Sequence, residues 1–401
     1  MSSMMKIFLC IASVTLLSAA EVVYGPRDDE SVQKQSLWPS LVVFVHGSVG
    51  VSRKLIGAKT VVALLRGSVD KTDYSRRVSA IRAESNRYRA QAIQKKGLSP
   101  IITESTEGAR IIEKLYEMYE NRVSPSVNRK YYTFGWSGLL SETARTKAAR
   151  KLYDALKAEL KIYTDKGMYP SVTLVGYSHG GSVCLNLADV VREKEDSQLL
   201  IEKLILIGMP VHKKNMGLIG CSLFKKIYHL YSTSDSVQAL DIFSPHSLIS
   251  GRCFKGALPT KLVQIELQIR VPRSVPRRGR VISSPCAEIV RETDSFSPGH
   301  AELWFLGWTS TNYRKLLPIY PFPLVIYVPL IIDKVDAFLK QIRQVDQAEL
   351  VTCALVPDQE KLFIEHQEKR SLESCTVTSF VTKEEFERTK AMAETLRGNI
   401  S

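Results

Sequence analysis

The chain has 401 residues, 44% of them hydrophobic and 24% charged, with a net charge of +14 at pH 7. This balance excludes a wholly disordered chain and a membrane bundle, and the length suits one large α/β domain or two smaller ones. The positive excess favours anionic surfaces, but it is scattered (Arg76, Arg77, Arg82, Arg87, Arg89, Lys95, Lys96) and no aromatic-rich motif accompanies it, so no nucleic-acid partner is expected.

Residues 1–20, MSSMMKIFLCIASVTLLSAA, have the layout of an export signal: Lys6, an apolar stretch from Ile7 to Leu17, then small residues Ser18-Ala19-Ala20 at the cut. The apolar run is shorter than the ~20 residues a spanning helix needs. Cleavage and export to a periplasm, envelope or medium are therefore expected, followed by a charged, proline-containing spacer over residues 21–40. Cys10 would leave with the signal. Cys184, Cys221, Cys253, Cys286, Cys353 and Cys375 would remain, and the sequence alone does not choose among their pairings. No cysteine or histidine spacing suggests a metal site, and no cofactor is expected.

LVVFVHG (Leu41–Gly47) is a continuous apolar run ended by glycine, which predicts a strand buried on both faces. Residues 48–129 come next as an insert or cap with helical periodicity near its end, where Ile111, Ile112, Leu115, Tyr116 and Tyr119 share a face. KYYTFGW (Lys130–Trp136) predicts a second strand. Its Trp136-Ser137-Gly138 end should open on the C-terminal edge of the sheet, where it would shape a pocket or simply pack. Ser141–Gly167 predicts a long amphipathic helix stopped by Gly167. SVTLVGYS is a third strand with one helix, GSVCLNLADVVREK, behind it. Glu202–Val211, Lys225–Asp235 and Lys261–Arg270 complete six strands.

Strands alternating with helices predict a mostly parallel sheet covered on both faces, in a domain over residues 41–345. The apolar Leu316–Ile332 run contains Pro318, Pro321, Pro323 and Pro329, which disfavour a straight membrane helix. DKVDAFLKQIRQ then looks helical. Residues 346–401 read as a polar C-terminal extension, ending in a helix whose Thr382 and Glu385 have capping-box spacing.

Gly176-Tyr177-Ser178-His179-Gly180 has the form G-x-S-x-G, placed directly after an apolar strand and directly before a helix. A strand that turns sharply into a helix forces its apex residue into a strained conformation and thrusts the side chain clear of the sheet. The positions two before and two after the apex come too close to neighbouring backbone for any side chain, so Gly176 and Gly180 are required there. Ser178 is thereby a candidate nucleophile.

With this motif in place the chain resembles the α/β-hydrolase superfamily, and within it the lipases and esterases, over about Leu41–Leu306. FVHGS resembles the HG loop that succeeds an early strand in these enzymes, and LILIGMPV resembles the strand after the nucleophile helix, with its Gly-x-Pro ending. The resemblance implies an α/β-hydrolase fold and a chain order of serine, acid, histidine. His300, in SFSPGHAELWF, stands where the family places its base; His366, in the charged FIEHQEKR, is the competitor and reads as solvated. Asp235 stands where the family places its acid, with Asp241 as the rival, while Asp294 is too near the His300 loop. A serine hydroxyl needs such a base, and the base a carboxylate to fix its tautomer.

The oxyanion donors implied are the backbone N–H groups of His179 and Ser48, with Gly47 giving backbone access and His46 supporting the loop. The activity implied is hydrolysis of a carboxylic ester, a lipid or other apolar ester, by an exported enzyme whose basic surface could meet anionic membrane. Two alternatives stay open. One is a peptidase, thioesterase or acyltransferase on the same triad. The other is a non-catalytic binding domain using the basic Val271–Arg280 segment as its contact.

Overall fold

A computed structural model describes residues 39–48, 72–83, 96–102, 108–235, 238, 250–273, 284–304, 324–342, 348–356, 360–368 and 374–398. The export signal, nearly all of the spacer, Asp241 and most of the Val271–Arg280 segment lie outside the described residues.

Each of the six apolar runs forms a strand: β1 (Ser40–Val45), β3 (Arg129–Gly135), β4 (Ser171–Tyr177), β5 (Ile201–Ile207), β6 (Phe224–Tyr231) and β7 (Leu262–Pro272). Five more join them: β2 (Gly97–Pro100), β8 (Thr293–Phe296), β9 (Glu349–Val356), β10 (Lys361–His366) and β11 (Cys375–Ser379). They make one 11-stranded sheet in the order β11-β10-β9-β7-β6-β5-β4-β1-β3-β2, with β8 paired to β7 off this path.

The sheet is mixed, which departs from the mostly parallel sheet expected. Strands β3, β1, β4, β5, β6, β7 and β9 run parallel. Strands β2, β8, β10 and β11 pair antiparallel at the flanks. The long apolar runs are the strands covered on both faces; β2 and β8, at four residues each, carry a weaker signal, whereas β9, eight residues long and buried at all but one, is covered like the six. Residues 346–401, expected as a separate extension, supply β9 to β11, and β9 is hydrogen-bonded to β7 over seven residue pairs.

Helices cover both faces. On one side α3 (Glu142–Thr164), α4 (His179–Leu185) and α5 (Leu187–Glu193) bury Ala148, Leu152, Leu156, Val183 and Leu187 against Leu41, Val43 and Val45 of β1. On the other, α2 (Gly108–Val123), α8 (His300–Trp304) and α9 (Val328–Gln341) pack against Val42 and Phe44. Alternate β1 residues thus feed separate cores, as a doubly covered strand requires. Residues 324–332 of the proline-containing run are core: Leu324–Tyr327 form a short 3-10 turn and α9 begins at Val328 with Pro329 in its first turn.

The remaining described helices are α1 (Asp73–Ala83), α6 (Lys213–Met216), α7 (Pro285–Glu292) and α10 (Lys383–Gly398). The capping box of α10 closes reciprocally. The Glu385 N–H donates to Thr382 Oγ1 at 3.1 Å, and the Thr382 N–H donates to Glu385 Oε2 at 2.9 Å. A disulfide joins Cys286 of α7 to Cys375 of β11, while Cys184 and Cys353 are buried free thiols. Burial raises the pKa of Cys184, a core residue behind the elbow.

Candidate active site

Strand register sets the site. Val45 lies opposite Gly176, Tyr177 opposite Ile207, and Ile207 opposite Leu230, so the ends of β1, β4, β5 and β6 finish level. The residues just past these strands therefore meet at one edge: His46-Gly47-Ser48, Ser178, Gly208, and the Ser232–Asp235 turn.

Ser178 has φ 51° and ψ −130°, a left-handed backbone for a residue with a side chain. Its N–H donates to the Ile207 carbonyl at 2.8 Å, and its own carbonyl accepts from the Gly181 N–H at 2.9 Å as α4 begins. The flanking glycines are enforced by contact. A Cβ at Gly180 would stand 2.3 Å from the Val45 oxygen and 2.4 Å from the His46 oxygen; one at Gly176 would stand 2.6 Å from the Gly181 Cα. Gly181 is itself crowded, by Met209 at 3.0 Å.

Asp235 and His300 are brought together. His300 Nδ1 lies 2.6 Å from Asp235 Oδ2, with Asp235 fully buried and the imidazole 13% exposed. Since a carboxylate only accepts, Nδ1 carries a proton, and in the neutral imidazole the lone pair then belongs to Nε2. The other carboxylate oxygen, Oδ1, accepts the Gln238 N–H at 2.8 Å. The two loops are laced by hydroxyls: Ser232 Oγ donates to the Pro298 carbonyl, and Thr233 Oγ1 meets Ser297 Oγ at 2.8 Å. Asp294 is turned away to Arg273, 2.8 Å distant.

The His46–Ser48 loop is equally tied down. His46 is buried between two partners that fix its tautomer: Nδ1–H donates to the Gly47 carbonyl at 2.7 Å, and Nε2 accepts the Trp136 N–H at 3.2 Å. The Trp136 indole N–H donates in turn to the His46 carbonyl at 2.7 Å. His46 is therefore a brace between the ends of β1 and β3. Gly47 lies against Ser178, since a Cβ there would stand 2.9 Å from Ser178 Cβ. The Ser48 hydroxyl meets His179 Nδ1 at 3.0 Å, which joins the two residues expected to supply the oxyanion donors.

Three contributors escape a reading of the sequence. Gly208, at φ 58°, backs the acid–base pair: a Cβ there would lie 3.3 Å from Asp235 Oδ2 and 3.4 Å from His300 Cε1. The Gly-x-Pro ending is its one sequence signal. Tyr177, hidden in the x position of the motif, donates from its hydroxyl to the His300 carbonyl at 2.9 Å and packs its ring 4.8 Å from the imidazole. Gln238 extends from Asp235 to the Met209 and Arg252 carbonyls, at 2.7 and 2.9 Å.

His366, expected in solvent, is buried, with Nε2 2.7 Å from Glu349 Oε2. FIEH is strand β10, not a charged surface segment, and Glu349 opens β9 on the opposite end of the sheet from Ser178. Trp136 and Ser137 line a cavity of about 500 Å³, but Ser178, Asp235 and His300 do not line it. Among the described residues, no cluster of three or more His, Cys, Asp or Glu side chains could hold a metal ion, and no helix is long and apolar enough to cross a membrane. Comparison with protein-family models, with curated proteins and with solved structures returned no match.

Proposed function

We propose that the chain is a serine hydrolase of the α/β-hydrolase fold that cleaves carboxylic esters through an acyl-enzyme. The observation that carries this is the backbone of Ser178: a serine at positive φ, between glycines that admit no Cβ, at the same sheet edge as a buried aspartate that holds Nδ1 of a histidine. Such strain persists only where surrounding structure over-determines it, and it concentrates at functional sites.

In this mechanism the Ser178 oxygen attacks the ester carbonyl as its proton passes to His300 Nε2. The carbonyl π pair moves onto oxygen, where the Ser48 and His179 N–H groups receive the charge. Collapse breaks the C–O bond to the alcohol, which leaves with the proton from His300. Water then repeats the sequence on the acyl-enzyme, releasing the carboxylic acid and restoring Ser178. Asp235 holds the imidazole in the required tautomer and stabilises the imidazolium.

The apolar or lipid class of ester rests on the family resemblance and on the basic surface, which would favour anionic membrane. Export agrees with the Cys286–Cys375 disulfide, a bond that persists in oxidising compartments. The test is labelling with a fluorophosphonate, then a p-nitrophenyl ester series of rising chain length. Wild type should react and Ser178→Ala should not; equal labelling of both removes the proposal. Rates confined to short acyl groups remove its lipid part, and turnover of amides or thioesters alone moves the chemistry to another acyl transfer.

A further inference from the structure

The cavity of about 500 Å³ beside β3 is not lined by Ser178, Asp235 or His300, and its lining combines apolar residues and lysines with the hydroxyls of Ser137, Ser141 and Thr143 and the ion-paired Arg150. Phe134, Trp136 and Ala148 form a buried apolar floor, while Lys96, Lys147 and Lys151 stand exposed around it. The size falls within the range of small-molecule sites, roughly 300–1,000 Å³.

Four of the six cations of α3 are paired, including Arg150, which also lines the cavity. Arg145 pairs with Glu142, Arg150 with Glu193, Lys157 with Asp196 and Lys161 with Asp165. Lys147 and Lys151 have no carboxylate partner among the described residues, and both line the cavity. They are four apart, so they share one face of the helix and repel each other. Lys96, unpaired in the same way, approaches from the start of β2, where it bridges Gly135. A hollow with an apolar floor and uncompensated positive charge at its mouth is complementary to an anion carrying a hydrocarbon body.

We propose that this cavity binds a single-tailed anionic amphiphile, with its chain on Phe134, Trp136 and Ala148 and its carboxylate or phosphate head among Lys96, Lys147 and Lys151. The site does not depend on the ester-hydrolase assignment. It is separate from Ser178, although its Trp136 floor also bonds to His46.

The test is photo-crosslinking of the full chain with a diazirine analogue of dodecanoate, mapped by peptide mass spectrometry. Label is expected in the peptides spanning Lys96–Gly97 and Phe134–Lys151. Competition by dodecanoate against dodecyl phosphate identifies the preferred head group, and neither dodecanol nor inorganic phosphate should compete. The exposed double variant Lys147→Glu/Lys151→Glu should fold normally by circular dichroism and lose about tenfold or more of the label. Ala144→Phe, which fills the hollow without replacing a lysine, should also lose it while fluorophosphonate labelling of Ser178 is retained. Label confined to other peptides, label unaffected by the double variant, or competition by dodecanol equal to that by dodecanoate would each overturn the proposal.

Discussion

Among the described residues are two histidine–carboxylate pairs of nearly equal length, Asp235–His300 at 2.6 Å and Glu349–His366 at 2.7 Å. Their settings differ in every other respect. His300 engages its carboxylate through Nδ1, opens the short helix α8 at the C-terminal edge of parallel strands, and is 13% exposed. His366 engages through Nε2, ends an antiparallel strand at the other end of the sheet, and is 3% exposed. The pair alone does not define an active site. The first is set apart by its free Nε2 and by the strained serine delivered to the same edge.

Removing the histidines should give the widest separation. His300→Ala is expected to lower kcat for a p-nitrophenyl ester by about 10⁴–10⁶-fold with a native circular dichroism spectrum. His366→Ala should leave kcat unchanged yet lower the denaturant midpoint, because it strands Glu349 in the interior. A loss of activity at His366 to match that at His300 would collapse the distinction.

The carboxylates sharpen it. Asp235→Asn should cost about 10⁴ in kcat by presenting the wrong tautomer, whereas Glu349→Gln should cost roughly 1–3 kcal/mol of stability and no catalysis. Urea titration and ester kinetics on the same two proteins separate these outcomes. Next in size is Gly208→Ala. Its positive φ and the crowding by Leu303, Asp235 and His300 should displace the acid–base pair, lowering kcat about 10- to 100-fold and stability by more than ~1 kcal/mol.

The smallest expected effect concerns a carboxylate with no histidine. Glu113 on α2 is buried, with Lys114 3.5 Å away and Oε2 lacking a hydrogen-bond partner among the described residues. Burial pushes its carboxyl up to about 7 from 4.5. The folded chain therefore holds a proton that the unfolded chain has released between those values, and stability falls as pH rises through that window. Above pH 7, Glu113→Gln should be more stable than wild type by roughly 1–3 kcal/mol, and near pH 4 the two should be equal. Thermal unfolding at pH 4 and 8 measures the difference, and an advantage as large at pH 4 would remove the assignment.

The features legible in the sequence are local ones. Gly176, Ser178 and Gly180 are fixed by a turn of five residues, so spacing alone announces them, and long apolar strands announce themselves by composition. Asp235 and His300 lie 65 residues apart and are placed in the sequence only by family order; the structure brings them into contact. His366 reads as solvated because its partner is on another strand, and charged neighbours in FIEHQEKR mask the buried Leu362–Ile364 run of β10. Tyr177 looks like a spacer, since nothing nearby reveals that its hydroxyl reaches the His300 carbonyl. The bond between Cys286 and Cys375 spans 89 residues and leaves no local trace.

The absence of a side chain at position 180 has a mechanical consequence. The helix behind Ser178 rests directly on the carbonyls of Val45 and His46, so the serine hydroxyl and the loop facing it travel as one stiff block. The imidazole of His300 stands at the start of a separate short helix, whose leading loop is clipped down by hydroxyl groups. Gentle warming should therefore loosen the histidine first, with the serine's posture surviving until the sheet itself gives way.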